Sequence, residues 1–544
     1  MIINIIMTDL MDYCKLSLND NLEPEKDDGN IEYKYALINL TENMINKKAT
    51  QMKYRIYEGL GEALYFIGVT DDGILLGLNK DEYLESVANL EIIAQKIDCS
   101  VIKLIESNKN DYYVGEFLIR ENYNNYIDLK IGVAGNVDSG KTTTIGTLTK
   151  NILDDGRGKA RISIFNHKHE IDSGRTSSIS HQIMGFDSYG NIVNSKNSSW
   201  SEISNNSTKV VSFYDMAGHE KYLKTTIYGL SSIYPDYCFI MIGANMGINH
   251  MTREHILLLL NLKIPFIILV TKIDIVPENI LEETMQKINN MCKNRIRKIP
   301  YIIKNTSDVI NTIKNIKSDG IVPIMQISNV SNYNLDLLRK LLNLLPIRND
   351  YSKYTNGPVE FIVDNMYSVI GHPTIVSGII KSGTIHINDT LLIGPFSDLT
   401  YRSVKIRTIH LNYKDVKDAT AGKYYCISLK GITRKELKKG MIMLSEDNTK
   451  IAVREFTAMI QILHSPTMIK TGYQPFVHIE HIKQSVKMVH IKKINSKIDD
   501  DLLRTGDKAE VKLEFIIKPE YIKPNMRIIF REGKVKAVGK VILI

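Results

Sequence analysis

Cysteine is scarce in this chain: five in 544 residues, at Cys14, Cys99, Cys238, Cys292 and Cys426, an odd number, widely spread and without a Cys-x-x-Cys pair. That argues against a disulfide framework and a thiolate metal site, and it points to a reducing compartment, with the cytoplasm as the expected location. Long apolar runs are missing as well. The longest, Ile256 to Val276, is broken by Asn261, Lys263, Pro265, Lys272 and Asp274, whereas a membrane helix needs about 20 nearly uninterrupted apolar positions. No membrane contact is expected. Met1 to Ile6 lacks a basic flank and a small-residue cleavage pattern, so it does not read as an export signal. No fixed-period repeat is present.

What the chain has is enough apolar material, 43% hydrophobic against 24% charged residues, for several cores. Its length calls for three or four domains. The net charge of +8 conceals an asymmetry: residues 1 to 125 hold 12 Lys and Arg against 22 Asp and Glu, and the remainder holds 57 against 39. The larger, basic part suits a polyanion such as RNA, and no DNA contact is expected.

Residues 1–31 read as an acidic, flexible lead-in. Residues 32–125 read as an α+β extension: a helix over 33–53, strands at 65–69 and 74–76, a helix over 80–97, and strands at 101–105 and 113–119. From 126 to 350, apolar strands (129–134, 210–214, 238–242, 266–270, 322–327) alternate with helical patterns. That predicts an α/β domain with a mostly parallel, doubly wound sheet. The insert from Lys159 to Thr208 is rich in Ser, Asn and Gly and reads as a long functional or mobile loop. Beyond Asp350 the pattern becomes short β runs between turns, which fits two β-barrels, 355–448 and 449–544.

Gly135-Asn136-Val137-Asp138-Ser139-Gly140-Lys141-Thr142 satisfies G-x-x-x-x-G-K-[ST] between a strand and a helix, with Thr143 next in line. Such a loop turns backbone N–H groups and a helix N-terminus toward phosphates, places the lysine ammonium between them, and offers the Thr142 hydroxyl to Mg²⁺. Asp215 ends the following apolar strand, where a carboxylate partner of Mg²⁺ belongs. Gly218 then offers its N–H to a γ-phosphate, and His219 lies where an attacking water would be positioned. Thr271-Lys272-Ile273-Asp274 follows another strand. Its carboxylate accepts from guanine N1–H and the 2-amino group, which adenine cannot reciprocate, while the stem of Lys272 stacks over the base. Ser328 and the neighbouring backbone groups, those of Asn329 and Val330 among them, after the last strand, are placed to meet the guanine oxygen.

With these residues in place the chain resembles the translational GTPases of the elongation factor Tu superfamily, most closely the eukaryotic GTP-binding protein 1 and 2 family. The likeness is carried by GNVDSGKT at 135–142, HKHEIDSGRTSSIS at 167–180, DMAGHEKYLKTT at 215–226, TREH at 252–255, TKID at 271–274 and QISNVSNYNLDLL at 326–338. LLRTGDKAEV at 502–511 and FREGKVKAVGKV at 530–541 add to it. The resemblance implies a P-loop G domain followed by two β-barrels, binding of GTP, GDP and Mg²⁺, and hydrolysis of GTP triggered by the ribosome. It matches Asp138 to a phosphate-loop Asp that assists a monovalent cation, and His219 to the water-positioning histidine. In the switch segment it aligns Ser178 with the Mg²⁺-binding Thr, with Thr176 as the rival. Thr271 stands where most GTPases have Asn, as in the closer family.

The partners implied are tRNA and the ribosome, with the chain acting as a monomer in elongation-like delivery, ribosome rescue or RNA surveillance. Arg527, Arg531, Lys534, Lys536 and Lys540 make the last hairpins basic and suit RNA. The alternative is a nucleotide-dependent adaptor that recruits RNA-decay or stress factors and hydrolyses little GTP. His167 and His169 lack further ligands at metal spacing and read as part of a switch loop.

Overall fold

The computed structural model describes residues 22–122, 126–162, 164, 179–318, 320–368, 374–449, 451–494, 502–532 and 535–544. Thr176 and Ser178, together with His167, His169 and Lys534, lie outside these described residues. The chain forms two compact units: one runs to Glu220 and resumes over Pro235–Ile256 and Pro265–Arg348, and the other comprises Lys221–Tyr234, Leu257–Ile264 and Asn349–Ile544.

The first unit begins with a four-stranded sheet ordered β1-β2-β4-β3, built from β1 (Ile31–Lys34), β2 (Glu62–Ile67), β3 (Cys99–Lys109) and β4 (Tyr112–Glu121). Helices α1 (Glu42–Glu58) and α2 (Lys80–Lys96) cover one face. Strand β2 is buried along its whole length because side chains alternate between two filled layers. Ala63, Tyr65 and Ile67 join the helices' Met52, Ile56, Leu90 and Ile93. Leu64 and Phe66 join a core that also holds Ile131, Val211, Ile310, Leu341 and Leu345. One continuous apolar layer therefore serves the extension and the domain that follows it.

Two expectations hold only in part here. Of the helix expected over 33–53, residues 42–53 are helical in α1, which starts only after Thr41 caps it by accepting from the Met44 amide, while Tyr33 and Lys34 lie in β1. The stretch 74–76 contributes a single bridge, Val69 to Leu75. The lead-in is also not loose from Leu22 onward. The amides of Leu22 and Glu25 donate to the carbonyls of Gly73 and Asp71. The buried Arg55 guanidinium donates to Glu25 and Glu32, each at 2.6 Å, and to the carbonyls of Asp27 and Gly29. Of the acidic side chains in this stretch, Glu25 answers a buried cation, while Glu23, Asp27 and Asp28 face water.

The second sheet is ordered β10-β11-β9-β8-β5-β7-β6 and is parallel except for β6. Its strands are β5 (Ile127–Gly135), β6 (Ser180–Phe186), β7 (Lys209–Asp215), β8 (Tyr237–Gly243), β9 (Phe266–Thr271), β10 (Ile299–Ile302) and β11 (Ile321–Gln326). Edge strands β6 and β10 are additions to the expected five, and β6 lies inside the stretch expected as loop. Helix α3 (Lys141–Lys150) follows β5.

Three buried charges tie the extension to this sheet. Glu62 accepts from Arg120 at 2.8 Å and from Lys209, at the start of β7, at 3.1 Å, and both cations reach the Asn343 carbonyl. Burial alone would raise the Glu62 carboxyl, but Lys209 and Arg120 outweigh it and hold it below its usual range; burial brings Lys209 down to about 8. Glu62→Ala leaves two buried cations without their carboxylate and should cost about 3–5 kcal/mol, measured as a shift in the urea midpoint.

In the second unit, helix α4 (Leu223–Ile233) belongs with two antiparallel barrels. The first barrel is built from β12 (Glu360–Tyr367), β13 (Thr374–Ser382), β14 (Thr390–Gly394), β15 (Arg402–Leu411), β16 (Tyr424–Lys430) and β17 (Ile442–Leu444). Its order is β14-β17-β12-β13-β16-β15, closed by the β14–β15 pairing. The second comprises β18 (Glu455–His464), β19 (Phe476–Ile479), β20 (Ile482–Lys493), β21 (Lys508–Phe515), β22 (Arg527–Glu532) and β23 (Val535–Leu543), closed in the order β18-β21-β20-β19-β22-β23. Tyr228 of α4 donates to Asp364 of β12 at 3.0 Å, and Ser231 donates to the Glu480 carbonyl in the β19–β20 turn at 2.9 Å. Both barrels thus grip this helix. No helix among the described residues is long and apolar enough to cross a membrane.

Candidate nucleotide site

Strand β5 ends at Gly135 and the chain turns through Asn136–Gly140 into α3. Gly140 precedes the helix at φ +83°, a left-handed conformation that suits glycine. The turn is drawn closed at one point, where the Asn136 carbonyl accepts from the Ser139 hydroxyl at 2.8 Å and the Lys141 ammonium at 2.6 Å. Ser139 and Lys141 are buried, Asn136, Val137, Thr142 and Thr143 are half-buried, and Asp138 is exposed. Burial pushes the Lys141 ammonium below the usual lysine range, against the pull of Asp215 and Asp138. A desolvated cation among backbone dipoles is poised to gain from a bound anion.

Parallel pairing in the register Val133 to Asp215 brings the end of β7 alongside the root of this loop. The Thr142 hydroxyl donates to the Asp215 carboxylate at 2.6 Å. Two hard oxygen donors so placed fit Mg²⁺, which takes one or two protein ligands and leaves its other positions to phosphate and water. Gly218 packs on the same loop. A Cβ there would sit 2.8 Å from the Gly135 oxygen and the Asn136 carbonyl carbon, so no larger residue fits without displacing the loop. His219 follows, with its side chain exposed.

Thr271, at the end of β9, is fully buried, and its hydroxyl donates to the Ser139 carbonyl at 2.9 Å. The residue that departs from the common Asn thus ties the next turn directly to the phosphate loop. That turn passes through Lys272 at φ +60° and presents Asp274 to solvent.

The third turn follows β11. The Ser328 hydroxyl accepts from the amides of Val330 and Ser331, at 3.2 and 3.0 Å, and so shapes the turn. Val330 is exposed. The Asn329 side chain donates to Thr144 of α3 at 2.9 Å. Thr144 was missed in the sequence. Its signal is its place one turn after Lys141, on the face of α3 that is buried.

A phosphate-loop turn, a strand-end carboxylate bonded to it and two further strand-end turns, on one mostly parallel sheet ahead of two closed barrels, define a P-loop GTPase of the elongation-factor type. The profile of the elongation factor Tu GTP binding domain matches residues 128–347, and that of elongation factor Tu domain 2 matches residues 374–444. The chain is 41% identical to GTP-binding protein 1 of Xenopus laevis over 522 residues, covering 94% of this chain and 78% of that protein. It is 39% identical to human GTP-binding protein 2 over 534 residues, covering 96% and 88%. Among solved structures, translation elongation factor SelB from Methanococcus maripaludis, in complex with the GTP analogue GppNHp, shares the fold with a TM-score of 0.55. That match has 18% identity and covers 77% of this chain and 80% of SelB. The chain belongs to the GTP-binding protein 1 and 2 family of translational GTPases.

Proposed function

We propose that this protein binds GTP with Mg²⁺, hydrolyses it to GDP on the ribosome, and in its GTP form engages tRNA for elongation-like delivery, ribosome rescue or RNA surveillance. The reading rests on the Thr142–Asp215 hydrogen bond, which joins the phosphate helix to the strand that leads into Gly218 and His219. Gly135 to Thr143 cradle the phosphates, Lys141 pairs with them, and Thr142 and Asp215 hold the metal, with Ser178 or Thr176 as the switch ligand. Mg²⁺ supplies charge neutralisation on the phosphates when bound. Asp138 is the residue for an assisting monovalent cation. Gly218 offers its amide to the γ-phosphate, His219 orients the attacking water, and Lys272 and Asp274 read the guanine.

Helix α4 begins four residues after His219 in the chain and is bonded to both barrels. The test is GTP turnover with and without ribosomes, alongside filter binding of aminoacyl- and deacylated tRNA with a GTP analogue or GDP. Ribosome-stimulated turnover of about 100-fold or more and analogue-dependent binding of aminoacyl-tRNA are expected. Equal or absent tRNA binding in all four cases removes the tRNA reading.

A second reading draws on the extension, the one acidic part of the chain. There the protein is a nucleotide-dependent adaptor for RNA-decay factors, with little turnover under any condition.

A further inference from the structure

We propose that Asn329 is a positioning residue, held at two points so that the turn after β11 presents its backbone to the purine's six-position oxygen. The inference rests on the guanine-nucleotide reading above and concerns how the base is selected. The first point of hold is the side chain, whose Nδ2 donates to Thr144 Oγ1 at 2.9 Å. Both residues are buried, at 8% and 2% exposure, so water cannot substitute for this bond. The second is the main chain: the Asn329 carbonyl accepts from the Asp154 amide at 3.0 Å. Asp154 is itself fixed, because its carboxylate accepts from the amides of Gly156 and Ala160 at 3.1 and 3.0 Å.

With its side chain and its carbonyl both held, Asn329 cannot turn without breaking one of these bonds. That orients the residue relative to α3, the helix that carries Lys141 and Thr142. Thr271 does the same for the opposite base turn by donating to Ser139. One base-side turn is therefore referenced to the phosphate loop and the other to the helix that follows it, so the groups that face the six-position and the N1 edge of a bound purine are held in a fixed register. The polar side chain of Asn329 serves this alignment without touching the ligand.

The experiment compares full-length wild type, Asn329→Ala, Thr144→Val, the double variant and Thr144→Ser. Dissociation constants are measured for GTP, for ATP and for tripolyphosphate, which carries no base. Thr144→Val keeps the volume of the site, so loss of fold does not obscure the result. Asn329→Ala and Thr144→Val should each lower the preference for GTP over ATP about tenfold and leave tripolyphosphate affinity unchanged. The double variant should be no worse than either single, and Thr144→Ser, which keeps the hydroxyl, should retain wild-type preference. An unchanged preference in variants that still bind GTP overturns the proposal. So does an equal loss of GTP and tripolyphosphate, which is the mark of simple structural support. A wild type that takes up tripolyphosphate and ATP but shows no preference for GTP overturns the guanine reading itself.

Discussion

His219→Ala is expected to lower ribosome-stimulated GTP hydrolysis about 100- to 10,000-fold while leaving GTP binding intact. The separation follows from the geometry. Asn136, Lys141 and Thr142 are held by bonds within the phosphate loop and to Asp215, none of which involves His219. The imidazole is exposed, one residue beyond a glycine packed on that loop. A side chain so placed is expected to orient a water and to add little to nucleotide binding. Single-turnover hydrolysis with stoichiometric ribosomes, read beside equilibrium binding of a fluorescent GTP analogue, checks both halves. Turnover that is equally low with and without the histidine would favour the adaptor reading.

The largest expected effect is on specificity. Asp274→Asn should weaken GTP binding by about 10⁴-fold and shift preference to xanthosine triphosphate. In the proposed reading the carboxylate accepts from guanine N1–H and the 2-amino group. An amide turns an N–H toward that amino group and leaves both unpaired, whereas the 2-oxo group of xanthine accepts it. Thr271 keeps the turn anchored in the variant, since its bond to Ser139 does not depend on Asp274. Competition between the two nucleotides for the same fluorescent probe decides the matter, and an unchanged preference would remove Asp274 from the base site.

The central strands were legible because parallel strands covered on both faces read as unbroken apolar runs: Val210 to Tyr214 and Cys238 to Ile242 need no partner to be recognised. Strand β6 escaped for the opposite reason. It begins Ser-His-Gln, at the sheet edge, and lies in a Ser- and Asn-rich insert whose composition imitates a loop. In the extension, the helix read from residue 33 begins only at Glu42, and the pairing of β1 with β2 shows why Tyr33 and Lys34 are extended. The motif residues at strand ends announced themselves by order and spacing. The hydrogen bonds from Asn329 to Thr144 and from Lys209 to Glu62 join residues 185 and 147 positions apart, and no local pattern contains such pairings.

The two filled layers around β2 bear on ancestry and on engineering alike. Leu64 and Phe66 close one side of the nucleotide-binding domain's own interior, so the preceding hundred residues are not an appendage that can be trimmed or grafted at will. A recombinant fragment opening at the phosphate-loop strand would expose a raw hydrophobic flank to water. Exchange of this segment between relatives has to carry matching partners on both sides of the junction, and the two are best regarded as one heritable block.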